Sequence, residues 1–231
     1  MKKFLKLIFG LVLVFALTLS LTACSKDDNK DNGNTQDGGQ TDGGKDTDDT
    51  SDTTLKRDVA ASEAGLSNML GSGKLYVTTF GQADRAYLKE MIDEVTASGA
   101  SLAYTYDEQL QASDVEEGSL VIAVVGYTSK GIAADITQTG EIARAKAFAH
   151  KSGITLVVVQ LSGSSRRGSS SDPIAEAATS GAALTLICDD GKGKGADYDG
   201  KYSTEWCKGK ALYAFSDEWN MTEYFKVILG L

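Results

Sequence analysis

From residue 55 onward, short apolar runs alternate with longer segments whose apolar residues recur at helical spacing. Residues 75–80 (LYVTTF) are rich in strand formers and end at Gly81. Tyr87, Leu88, Met91, Ile92 and Val95 then recur every three or four positions behind a candidate N-cap, Asp84, and predict a helix. A second strand is predicted at 102–106. Residues 120–125 (LVIAVV) are continuously apolar up to Gly126. Residues 136–151 predict an Ala-rich helix with Ile142, Ala145, Phe148 and Ala149 on one face. The next apolar run is 154–159 (ITLVVV). Asp172-Pro173 reads as an N-cap followed by proline at the first helical position, opening a short helix to Thr179. Further strands are predicted at 183–188 and 211–215, and a closing helix at 218–229.

The runs at 120–125 and 154–159 are almost wholly apolar and flank a helix. Strands of that kind are buried on both faces, as in a parallel sheet covered by helices. Six strands with helical crossovers predict an α/β three-layer sandwich with a mainly parallel sheet, Rossmann-like or flavodoxin-like. Residues 55–231 suffice for a single α/β domain.

The first 54 residues follow another pattern. Met1-Lys2-Lys3 and Lys6 precede an apolar run of 15 residues, 7–21, which closes on small residues. The run is shorter than the ~20 residues a spanning helix needs. A basic start, a short apolar segment and small residues before a cut describe a bacterial secretory signal. Leu21-Thr22-Ala23-Cys24 resembles the lipobox of bacterial lipoproteins. The resemblance implies a signal peptide at 1–23, cleavage after Ala23 and a lipid such as palmitate on Cys24. The chain would then be anchored to the cell membrane on its extracytoplasmic face, in the cell envelope. Residues 25–54 contain no aliphatic or aromatic side chain. Such a segment cannot bury enough surface to offset its ordering entropy, so 24–54 reads as the lipidated cysteine followed by a disordered Asp/Gly-rich linker.

Charge narrows the partners. Segment 25–54 carries −6 and segment 55–231 another −6, against +3 in the signal, for a net −9. An acidic body without a long basic run argues against nucleic acid, which needs a basic face. With Cys24 assigned to lipid, one bridge between Cys188 and Cys207 is conceivable, but Cys188 reads more simply as a small apolar residue ending a buried strand.

In open parallel sheets, ligands bind outside the carboxyl ends of the strands. The segments that follow the predicted strands there are Gly81-Gln82-Ala83-Asp84, Ser129-Lys130-Gly131, Arg166-Arg167-Gly168 and Ser171-Asp172. Glycine admits a close ligand, hydroxyls supply small hydrogen-bonding groups, and arginine holds carboxylates or phosphates through two bonds. Lys130, Arg166 and Arg167 are therefore candidate anion ligands. Equally, these cations would pair with Asp84, Asp172, Asp189 or Asp190 and only stiffen the loops. No dinucleotide fingerprint, Walker A motif or nucleophile elbow occurs, so no cofactor is expected. His150, the only histidine, falls at the end of a predicted helix, where the dipole favours it, rather than in a catalytic triad. Glu141 and Arg144, three apart on a helix, are expected to pair locally.

These motifs, with Tyr104-Thr105-Tyr106-Asp107, Glu141 and Arg144, and Gly163, resemble an uncharacterised bacterial family of exported proteins, a domain of unknown function. The resemblance spans about 75–228 and implies an α/β sandwich and no particular activity. This chain departs from the family pattern at Ala83, where the first loop is one small residue shorter, and in a longer loop at 192–199. The leading expectation is a membrane-tethered module binding a small anionic solute through Gly81, Gln82, Asp84, Ser129, Lys130, Gly131, Arg166, Arg167, Gly168, Ser171 and Asp172. The alternatives are a hydrolase-like enzyme using Asp84 or Asp172 as base, and an envelope scaffold for an unidentified protein partner, which would carry an exposed apolar patch. Replacing Cys24 with Ala is expected to abolish palmitate labelling and move the chain to the soluble fraction. A labelled, membrane-bound Cys24→Ala chain would overturn the lipobox reading.

Overall fold

A computed structural model describes residues 55–98, 101–128, 136–189, 197 and 199–231. The elements in chain order are β1 (Lys56–Arg57), β2 (Leu75–Phe80), α1 (Arg85–Ser98), β3 (Tyr104–Tyr106), β4 (Leu120–Val125), α2 (Gln138–Ala149), β5 (Thr155–Gln160), α3 (Asp172–Thr179), β6 (Leu184–Cys188), β7 (Ala211–Phe215) and α4 (Met221–Leu229). The strands form one sheet in the order β1-β7-β6-β5-β4-β2-β3, and every pair is parallel. The expected α/β three-layer architecture is present, and its strand order extends the flavodoxin-like type.

The side-chain alternation of the strands builds two cores. Val77, Ile122, Val124, Val157 and Val159 face α1 and α4, where Leu88, Met91, Ile92, Phe225 and Ile228 meet them. Tyr76, Phe80, Val121, Val125, Leu156 and Val158 face α2 and α3, where Phe148, Ile174 and Ala178 pack. Both faces of β4 are fully buried, which is why its sequence shows no polar alternation. Each large side chain buried in this way contributes about 1.5–3 kcal/mol.

The structure departs from the sequence pattern in small ways. A seventh strand, β1, lies at the sheet edge; its two residues are exposed and charged and give no apolar signal. Helix α2 starts at Gln138, because the Thr137 hydroxyl accepts from the Gly140 N–H and caps it. His150 is the C-cap of α2. Ser171, not Asp172, is the N-cap of α3, so Asp172 and Pro173 both stand inside the first turn. A short 3-10 turn at Glu218–Asn220 precedes α4. Cys188 and Cys207 are separate buried thiols, and the Cys207 thiol lies 3.5 Å from the Thr185 hydroxyl. No helix among the described residues is long and apolar enough to cross a membrane. Residues 1–54, with Cys24 and the linker, lie outside the described residues.

Gly81 carries a specific load. Its φ is +96°, and a Cβ there would fall on the Gly126 carbonyl. Gly81→Ala is expected to destabilise the fold by about 2 kcal/mol or more, from left-handed backbone strain plus the clash. Urea unfolding measures this; an unchanged midpoint would contradict the packing described.

Candidate functional site

The chain runs from β2 outward to β3 and then returns past β2 to β4. The strand order therefore reverses between β2 and β4, the point where doubly wound sheets take ligands. The loops after these two strands are zipped together. Gly126 N–H donates to Phe80 O (3.0 Å), Ala83 N–H to Gly126 O (2.9 Å) and Thr128 N–H to Gly81 O (3.0 Å), with Gln82 bridged antiparallel to Tyr127. The Ser171 hydroxyl accepts from Tyr127 N–H at 3.0 Å and ties the start of α3 to the same seam. Gly81 thus serves the approach of one loop to another.

Arg166 lies across this seam. Its Nε sits 3.2 and 3.1 Å from the two Asp84 carboxylate oxygens, and its Nη2 donates to Asp84 Oδ1 at 3.0 Å. Gly126 makes room, since a Cβ there would stand 3.2 Å from Arg166 Cδ. The Asp84 side chain is buried at 2% exposure, whereas Arg166 keeps 30%. Its Nη1 has no hydrogen-bond partner among the described residues.

Arg167 turns the other way and is buried. Its Nε donates to Asp172 Oδ1 at 2.9 Å and its Nη2 to Asp199 at 2.8 Å, and its guanidinium lies over the rings of Tyr202 and Trp206. Burial draws the Arg167 pKa down, but the hydrogen bonds it donates to the Asp172 and Asp199 carboxylates outweigh this and raise it. Burial pushes the Asp199 carboxyl up, and the Arg167 contact reverses this and holds it below its ordinary range. Asp172 Oδ1 also accepts from Gly168 N–H at 2.8 Å. A cleft of about 530 Å³ opens beside this group, between the Arg167–Pro173 segment and Asp199–Trp206.

The predicted residues thus fall into three sets. Gly81, Gln82, Asp84, Arg166 and Ser171 meet at the β2/β4 seam. Arg167, Gly168 and Asp172 form a neighbouring cluster with Asp199. Ser129, Lys130 and Gly131, and with them Asp190, lie outside the described residues. Of the pairings weighed from sequence, Asp84 and Asp172 do receive arginines, while Asp189 takes Arg57.

Sequence reasoning missed four contributors and the reach of an ion pair it did expect. Asp199, Tyr202 and Trp206 belong to a π-helical turn, Lys201–Trp206, and its approach, which no hydrophobic period announces. Arg85 donates to the Gln82 carbonyl and pairs with Glu108 at 2.9 Å, joining α1 to the end of β3. The Glu141–Arg144 pair reaches much further than a local helix contact. Both side chains are about 95% buried. Glu141 Oε2 accepts from Gly81 N–H at 2.5 Å and from Arg144 Nη2 at 2.6 Å. Arg144 also donates to the carbonyls of Thr79 and Leu110 and lies over the Phe80 ring.

A doubly wound, all-parallel α/β domain with polar loops gathered at its strand carboxyl ends is the class that this fold and site define. The chain belongs to the family of a domain of unknown function, DUF6305, whose model matches residues 72–201, more than half of its length. No curated protein and no solved structure matches it.

Replacing Arg144 with Met leaves Glu141 buried without its cation and is expected to cost about 3–5 kcal/mol. The Glu141→Leu/Arg144→Met double variant removes both charges and is expected to recover part of that loss. Chemical denaturation of the three chains measures the difference; a double variant no more stable than the single one would refute the account.

Proposed function

We propose that this chain is a membrane-tethered extracytoplasmic lipoprotein whose α/β domain binds a small anionic solute at the strand carboxyl edge. The signal pattern and Cys24 support the address. Arg166 carries the binding part. It is a guanidinium held rigid by Asp84, standing where the strand order reverses, with one nitrogen uncommitted and part of its surface open. A pre-oriented guanidinium loses little freedom when an anion arrives. In this reading Lys130, with Ser129 and Gly131, supplies the second cation and small donors. Arg167, Gly168 and Asp172 order the adjoining loop, since Arg167 is already engaged on both sides.

The same geometry favours binding over a hydrolase with Asp84 or Asp172 as base, because each carboxylate is committed to a guanidinium. It also gives the scaffold reading little to rest on. The exposed large apolar side chains among the described residues are Tyr87, Trp219 and Leu231, from separate segments.

Calorimetric titration of the full-length chain in detergent with small carboxylates and phosphates tests the proposal. Arg166→Lys keeps a cation for Asp84 but removes the outward nitrogen, and is expected to weaken anion binding about tenfold. Lys130→Ala is expected to weaken it as well. Absence of any anion binding, or affinity untouched by both variants, would sink the proposal.

A further inference from the structure

The cleft of about 530 Å³ beside Arg167 has no part in the anion reading, and Arg166 is not among its lining residues. One wall is the start of α3 with the segment before it. The other is Asp199 and the π-helical turn Lys201–Trp206. Such turns are rare and gather at functional sites. This one divides its side chains. Tyr202, with Cys207 just beyond the turn, is fully buried, while Lys201, Glu205 and Trp206 line the cleft. The most buried charge in the lining, Arg167 at 3% exposure, is fixed by Asp172 and Asp199 at 2.9 and 2.8 Å. The cleft is therefore built on a rigid base and open to solvent.

Its charges narrow the ligand. Arg167 and Lys201 face four carboxylates, those of Asp172, Glu176, Asp199 and Glu205. Both cations are engaged, Arg167 as above and Lys201 at 3.6 Å from Asp172 Oδ2. A net negative lining without an uncommitted cation repels an anion. An organic cation would have to compete for the Trp206 ring, which already carries the Arg167 guanidinium at 5.2 Å and the Lys201 ammonium at 5.9 Å. No group of three side chains suited to a metal ion occurs among the described residues.

The groups left over suit hydroxyls. Glu176 and Glu205 stand one on each wall, exposed, and their carboxylates have no hydrogen-bond or ion-pair partner among the described residues. A carboxylate can accept from two adjacent hydroxyls, and charged acceptors make the stronger bonds. Lys201 and the Ser169 hydroxyl bring donors, which the oxygens of the same hydroxyls can accept. Pro173 and Trp206, both half-buried, give each wall some apolar surface. A compact, uncharged ligand that donates, accepts and presents C–H surface meets all of these at once. We propose that the cleft is a second ligand site, independent of the anion site, and that it takes a neutral pyranose sugar, free or as the terminal unit of a glycan. Its volume falls in the range of small-molecule sites, roughly 300–1,000 Å³. Its fixed base spares the ordering cost of binding.

The test is saturation-transfer NMR titration of the full-length chain in a detergent without a sugar headgroup. The probes are D-glucose, D-galactose and D-mannose, their methyl glycosides, and the diamine putrescine. Glu176→Gln and Glu205→Gln keep the size of each exposed side chain and remove its charge, so melting temperatures are expected to stay unchanged. At least one of the sugars is expected to bind, and each variant to weaken it about tenfold. A methyl glycoside that binds as well as its parent sugar assigns the site to a linked unit; a preference for the parent assigns it to the free sugar. Putrescine bound in preference to every sugar, and lost in the same variants, would make the cleft a cation site and overturn the proposal. Binding of no sugar, or a sugar affinity equal in wild type and both variants, would overturn it as well.

Discussion

One buried ion pair fastens the candidate site to the fold. Glu141 and Arg144, one turn apart on α2, sit under the end of β2. They hold the Gly81 amide and the carbonyls of Thr79 and Leu110. A buried pair of this kind contributes little net stability against an apolar replacement. What it fixes is position. Gly81 must stand where the loop after β4 can pair with it, and only then do Gln82, Asp84 and Arg166 take up their relation to α1.

The fold was legible because its signals are redundant. The short, β-branched apolar runs at 120–125 and 154–159 point to strands covered on both faces, and the helix between them points to a parallel connection. The misses occurred where a single local bond decides the boundary, as with the Thr137 hydroxyl at α2, or where two exposed residues pair at an edge, as with β1.

The site was legible by address and not by wiring. The rule that ligands gather at strand carboxyl ends singled out Gln82, Asp84, Arg166 and Ser171, and the structure brings these four together around one seam. Sequence could not tell that adjacent arginines diverge, with Arg166 remaining partly open and Arg167 buried between carboxylates and rings. That outcome depends on Asp199, which reaches Arg167 from 32 positions away through a turn with no periodic signature. Nor could spacing show that Glu141 and Arg144 face inward, because an i,i+3 pair looks the same on either face of a helix.

The zipped seam between the loops after β2 and β4 also governs how the chain can change over time. Each loop is the other's pairing partner, residue by residue, through Gly81, Gln82 and Ala83 on one side and Gly126, Tyr127 and Thr128 on the other. An insertion between Gly81 and Ala83 or between Gly126 and Thr128 would break this pairing register. Side chains on the seam can be exchanged without disturbing that backbone pairing, so a new specificity is reached more readily by substitution there than by lengthening either loop.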